Sequence, residues 1–174
     1  EAGGHNGKEE TTTLVLIRQL ADVLQMPLIA AGGIASGEQM AAVMAMGADG
    51  VQVGSAFAVA KESSAHEAFK KAVFASKEGE TKLFMRKLSP TRLLKGAFFD
   101  QIAKAEAEGA SAEELLQIIG VGRTKKGMFE GNLEEGELEI GQVASMLNEE
   151  KSVEEIFESF RQGFAKAKER LQQM

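Results

Sequence analysis

Cysteine is absent from the 174 residues. That absence excludes disulfides, thiolate metal sites and cysteine nucleophiles together, and it fits a reducing, cytoplasmic setting. Tryptophan and tyrosine are absent too, so any aromatic wall must come from the ten phenylalanines. Basic charge is scarce: 20 Lys and Arg face 26 Asp and Glu, for a net charge of −6. A phosphate backbone attracts a basic face, so nucleic acid is not expected as a main partner. No apolar run reaches the ~18 residues of a membrane span, and no charged-then-apolar leader is visible. No membrane partner and no metal site are expected. What is present is ordinary for a soluble domain: 44% apolar and 26% charged residues, in a length sufficient for one core.

The first part of the chain alternates between helical and strand-like patterns. Thr11 to Thr13 precede Leu14, Ile17, Leu20, Ala21 and Leu24, a one-face helical spacing that Pro27 ends. Leu28-Ile29-Ala30-Ala31 reads as a short strand buried on both faces, and Gly32-Gly33 closes it. Ser36 and Gln39 form a capping-box pattern for a helix that turns Met40, Val43 and Met44 inward and stops at Gly47. Gly50-Val51-Gln52-Val53-Gly54 is a second strand, and Ser55 starts another helix. Consecutive βα units of this kind imply parallel strands with right-handed crossovers.

From about residue 65 onward the pattern is nearly all helical. Helices are expected from Ala65 to Lys77 and from Thr91 to Glu108, with capping boxes at Ser111/Glu114 and Ser152/Glu155 opening two more. The last of these places Val153, Ile156, Phe157 and Phe160 on one face. Gly131 to Gly141 is acidic and glycine-rich and reads as a loop. The charge runs Lys70-Lys71, Lys125-Lys126, Glu134-Glu135 and Glu149-Glu150 read as solvated faces. A closed eight-stranded barrel takes roughly 250 residues, and only two clear strands are visible. Further strands are therefore expected upstream of Glu1 or on another chain. The chain also begins without Met and inside a glycine-rich motif, Glu1-Ala2-Gly3-Gly4-His5-Asn6-Gly7, which reads as the start of a fragment.

The turns Gly32-Gly33 and Gly54-Ser55 each follow a strand and precede a helix. Glycine lets backbone N–H groups approach an anion, and a helix N-terminus favours negative charge. In (β/α)8 barrels the loops after the last two strands commonly hold a phosphate. The plainer alternative is that the glycines only permit tight turns. His5 sits on a glycine loop without apolar periodicity, so it suits proton transfer near neutral pH better than core filling; a surface-loop histidine is the alternative. His66, at a helix start, reads as structural. Gln52 lies in an apolar strand and needs a polar partner, either a ligand edge or a buried water. Gln142 poses the same question.

Three segments together carry a family resemblance: Glu1 to Gly7, Ile29-Ala30-Ala31-Gly32-Gly33-Ile34-Ala35, and Met46-Gly47-Ala48-Asp49-Gly50-Val51-Gln52-Val53-Gly54-Ser55. In this order they resemble the flavin-binding nitronate monooxygenase (2-nitropropane dioxygenase) and enoyl-ACP reductase II family, as does Ala60 to His66. The second and third segments alone also resemble inosine-monophosphate dehydrogenase, which needs a catalytic cysteine that this chain lacks. The resemblance implies an α/β fold, the C-terminal part of a (β/α)8 TIM barrel followed by a mainly helical C-terminal region. Residues 1–76 would supply the last βα units of an FMN-binding barrel, and residues 77–174 would complete or cap the active site. His5 matches the family's catalytic histidine. Gly3 and Gly4 would lie along the flavin, and Gly32, Gly33, Gln52, Val53, Gly54 and Ser55 would bind FMN, chiefly at its phosphate.

Two activities share these motifs: oxidation of alkyl nitronates by dioxygen, and transfer of a hydride from NAD(P)H through FMN to an enoyl thioester. Arg92 to Lys95, the helix to Glu108, Ser111 to Ile119, and Phe129 to Leu133 followed by Gly141-Gln142 favour the reductase. The charged stretch Glu134 to Ile140 departs from the more apolar reductase pattern. The expected partners are a small-molecule or acyl-carrier-protein-linked substrate and the missing N-terminal part of the same barrel, with a homodimer as one assembly open to it. A phosphate-binding barrel without flavin would use the same glycine loops.

Overall fold

The glycine and proline punctuation of the first 58 residues does set the local fold. The computed structural model describes residues 2–8 and 10–174. Helix α1 (Thr13–Ala21) leads to strand β1 (Ile29–Ala31), helix α2 (Gly37–Ala45), strand β2 (Gly50–Gln52) and the short helix α3 (Ser55–Ala58). Strands β1 and β2 pair in parallel, Ile29 with Gly50 and Ala31 with Gln52, so the turns that follow them emerge side by side. Ser36 caps α2 by accepting from the Gln39 N–H, but the Gln39 side chain accepts from Ala35 rather than closing the box on Ser36.

The strand expected to be buried on both faces is not. Ala30 is buried, but Ile29 is 53% exposed. A strand is covered on both faces only when layers pack on each side of its sheet, and β1 has β2 as its one neighbour among the described residues.

The second half departs further from expectation. Helix α4 (Glu67–Phe74) is shorter than foreseen. It is followed by an antiparallel hairpin of β3 (Thr81–Phe84) and β4 (Thr91–Leu94). The helix expected from Thr91 begins only after Gly96, as α5 (Ala97–Ala107). Cross-strand pairing with Thr81–Phe84 overrides the helical spacing of Thr91–Leu94, all four of which are buried. Helices α6 (Ala112–Ile119) and α7 (Val153–Gln172) follow, both opened by complete capping boxes as expected. Between them lie a π-helical turn (Lys125–Phe129) and a 3₁₀ turn (Gln142–Met146). The Gly131 to Gly141 segment has no regular element, yet Glu137, Leu138 and Ile140 in it are buried. Lys70 is buried as well, not solvated. Its Nζ donates to the Ala60 carbonyl (2.6 Å) and to Glu150 (3.1 Å), which is how a buried ammonium is tolerated.

Three apolar clusters form among the described residues. The first joins Ile17, Ala30, Val43, Ala56, Ile156 and Phe160. The second joins α4 with Leu94, Leu138 and Ile140, and the third packs Phe84 and Leu93 against α5 and α6. On α7, Ile156 and Phe160 are buried as foreseen, whereas Phe157 stays 58% exposed, its ring 5.5 Å from that of Phe57. Among the described residues no helix is long and apolar enough to cross a membrane.

Helices α2 and α7 cross at glycines. A Cβ on Gly37 would overlap the backbone of Phe160 and Phe164, and one on Gly163 would stand 3.0 Å from the Gly37 Cα. Gly37→Ala is therefore expected to destabilise the protein by about 1–3 kcal/mol; denaturant unfolding that shows no loss would mean the helices separate freely. Glu155 provides a pH test. The Ser152 N–H, then Lys61, hold its carboxyl at about 2, below the usual 4.5. A depressed carboxyl stabilises the fold above its unfolded pKa and loses that contribution as pH falls through the folded one. Glu155→Gln should thus lower the melting temperature at neutral pH, with the gap to the parent closing between about pH 4.5 and 2.

Candidate active site

The parallel register of β1 and β2 brings both predicted glycine turns to one end of the sheet, where they line a single cavity of about 500 Å³. The two turns use glycine for different reasons. Gly32 and Gly33 have φ of 91° and 76°, a region that L side chains rarely adopt. They also pack closely, since a Cβ on Gly32 would stand 3.2 Å from the Gly3 nitrogen. Gly54 has an ordinary φ of −92°, and a Cβ there would meet nothing within 4 Å. Its missing side chain leaves space open in the cavity. The N–H groups of Gly33 and Gly54 donate to no other group among the described residues.

His5 reaches the same cavity by a different route. Asn6 pins the glycine loop, accepting from the Gly3 N–H (3.0 Å) and donating to the carbonyls of Gly3 (2.8 Å) and Gly4 (3.1 Å). The loop is therefore held rather than free. His5 forms an antiparallel bridge with Thr91 of β4. Its side chain is 67% exposed, with Nδ1 at 3.8 Å from Glu139 Oε1 and Nε2 at 3.0 Å from Ser89 Oγ.

Residues 139–141 connect the two ends of the cavity. Leu94 N–H donates to the Leu138 carbonyl and Ile140 N–H to the Arg92 carbonyl, tying this segment to β4. Glu139 thereby stands beside His5, and two residues on the Gly141 N–H donates to Ser55 Oγ (2.9 Å). Two residues of extended chain span about 7 Å, so the imidazole and the glycine turns lie within the reach of one bound molecule. Burial, with the charge of Glu137 added, pushes the Glu139 carboxyl above its usual range, and the His5 ring pulls it back down.

The cavity brings together Gly3, Gly4, His5, Gly32, Gly33, Gln52, Gly54 and Ser55. Val53 does not line it and packs against the first apolar cluster. Gln52 is exposed to the cavity rather than buried among apolar side chains, and Gln142 is exposed as well. Neither amide poses the buried-polar problem expected of it. His66 caps α4, its Nδ1 accepting from the Ala68 N–H (3.1 Å). Thr124, Met128, Phe129 and Glu139 line the cavity without having been anticipated. For Glu139 a signal existed: Glu137-Leu138-Glu139-Ile140 alternates polar and apolar residues, as a paired strand does. Among the described residues no cluster of His, Asp and Glu is arranged to hold a metal ion.

Comparison with known proteins places the chain among flavin-type oxidoreductase relatives by sequence and overall structure. A probable nitronate monooxygenase of Staphylococcus aureus is 36% identical over 119 residues, covering 62% of this chain and 33% of that protein. FabK from Thermotoga maritima is 35% identical and superposes with a TM-score of 0.89 over 98% of this chain and 54% of its own. Nitroalkane oxidase from Streptomyces ansochromogenes is 28% identical, with a TM-score of 0.75 over 98% of this chain and 51% of its own. The chain thus spans about a third of the curated relative and about half of the two solved ones. The family model for nitronate monooxygenase matches residues 1–163, and the chain belongs to that family.

Proposed function

We propose that this chain forms the C-terminal portion of an FMN-dependent (β/α)8-barrel oxidoreductase. Residues 1–76 would supply its last βα units and residues 77–174 would complete and cap the active site. The favoured activity is NAD(P)H-dependent reduction of an enoyl-acyl-carrier-protein thioester. The observation that carries the reading is the one cavity that joins two glycine turns, with unengaged N–H groups, to an exposed histidine.

The residues fit the phosphate end of FMN. The N–H groups of Gly33 and Gly54 and the hydroxyl of Ser55 are of the kind that binds phosphoryl oxygens, and the open space at Gly54 admits a group against the backbone. FMN, when bound, supplies hydride transfer between the nicotinamide and the enoyl double bond. The protein's own part is to hold and orient the reactants and to move one proton. His5 would give that proton to the carbon beside the thioester carbonyl.

Support for the reductase is the likeness to FabK, which extends over 98% of the chain. The second reading, oxidation of alkyl nitronates by dioxygen, is favoured by the S. aureus relative. In it His5 would take a proton from the nitroalkane. Steady-state turnover of the intact protein decides between them. Crotonyl thioester with NAD(P)H should be consumed faster than a nitronate with oxygen, and the reverse order selects the monooxygenase. A colourless protein that takes up no FMN would defeat both.

Two substitutions test the parts. His5→Ala should lower turnover about 100-fold or more while the flavin stays bound; unchanged turnover removes His5 from the mechanism. Gly54→Val should weaken FMN binding by at least about tenfold, ~1.4 kcal/mol, without moving the melting temperature of the flavin-free protein. Unaltered affinity would place the phosphate elsewhere.

A further inference from the structure

Strand β4 places two ionisable side chains next to each other. His5 bridges to Thr91 and Glu139 bridges to Leu93. Thr91 and Leu93 are two apart on one strand and so project to the same face. The residues opposite them, His5 and Glu139, become neighbours on that face through backbone pairing alone. The side chains approach accordingly, with Glu139 Oε1 at 3.8 Å from His5 Nδ1, an ion-pair separation that a small turn of either side chain closes to a hydrogen bond. Room for the carboxylate comes from Gly4, where a Cβ would lie 3.2 Å from both Cγ and Oε1 of Glu139. Glu139 is the more sheltered partner, its side chain 24% exposed against 67% for His5.

We propose that Glu139 is a positioning residue for His5, holding the imidazole by its Nδ1–H and leaving Nε2 as the nitrogen that exchanges a proton with substrate. A histidine presents one nitrogen as donor and the other as acceptor, and the partner of one nitrogen selects the tautomer. With Nδ1–H directed at Glu139, the Ser89 hydroxyl donates to Nε2 in the resting site. In the forward reaction the imidazolium Nε2–H bond breaks as a C–H bond forms at the carbon beside the thioester carbonyl, and the ring is left neutral with Nδ1–H intact. Glu139 acts by orienting the ring, without touching substrate. Its place in catalysis rests on the oxidoreductase reading above.

The test needs a readout that does not depend on that reading. In intact protein labelled with 15N-histidine, the His5 imidazole signals, assigned by their loss in His5→Asn, report the tautomer directly. The parent should hold neutral His5 chiefly as the Nδ1–H form, and Glu139→Leu should move the population towards Nε2–H. A parent already in the Nε2–H form, or a population that Glu139→Leu leaves unchanged, overturns the proposal. In turnover, Glu139→Gln should lower kcat by about tenfold or more with KM and FMN affinity held within about twofold. A fall in FMN affinity equal to the fall in kcat would show that Glu139 only fills space. Should the parent turn over neither an enoyl thioester nor a nitronate, the oxidoreductase reading fails, and the tautomer measurement still decides the pairing.

Discussion

Strand β4 accepts and donates hydrogen bonds along both of its edges, and the site depends on this. One edge pairs with β3. The other is shared end to end by two separate segments, the loop at Gly4 to Asn6 and the segment at Leu138 to Ile140. Neither segment is long enough to form a strand of its own. Each finds partners for part of its backbone by docking on β4, since N–H and C=O groups taken from water need them. His5 and Glu139 are brought together by that requirement, and the chain that continues from Glu139 to Gly141 is delivered to Ser55.

The cavity is then built from backbone at one end and side chains at the other. The glycine turns offer N–H groups and open space, which suit a group of fixed negative charge. The His5 end offers an imidazole, a hydroxyl and a sheltered carboxylate, which suit proton exchange. Met128 and Phe129 reach the same cavity from the π-helical turn. Such turns widen a helix locally and recur at functional sites. With neither tryptophan nor tyrosine in the chain, Phe129 is the one aromatic side chain among the described residues of the cavity lining.

What was legible in the sequence was local. The capping boxes at Ser111 and Ser152 depend on residues three apart and were read correctly. So were the two parallel βα units, whose glycines and apolar runs lie within a few residues of each other. The hairpin of β3 and β4 was not legible, because its strands carry weak periodicity of their own and are fixed by pairing and burial. The burial of Lys70 depends on Glu150, 80 residues away, so Lys70-Lys71 looked like any other charged face. Glu139 was missed for the same reason. Its position follows from what β4 pairs with, and the sequence of β4 carries a helical spacing.

Exposed apolar residues gather on one part of the fold. Leu14, Val15, Val23, Met26 and Ile29 are each at least 50% exposed, and all fall within α1, β1 and the chain joining them. Scattered exposed apolar side chains are common, but a concentration on consecutive elements marks a surface that is ordinarily covered. β1 also has an unpaired edge among the described residues, and an open edge invites a further strand. The related structures are about twice as long as this chain. Additional parallel strands placed beside β1, with their helices against α1, would cover these side chains and pair this edge in one step.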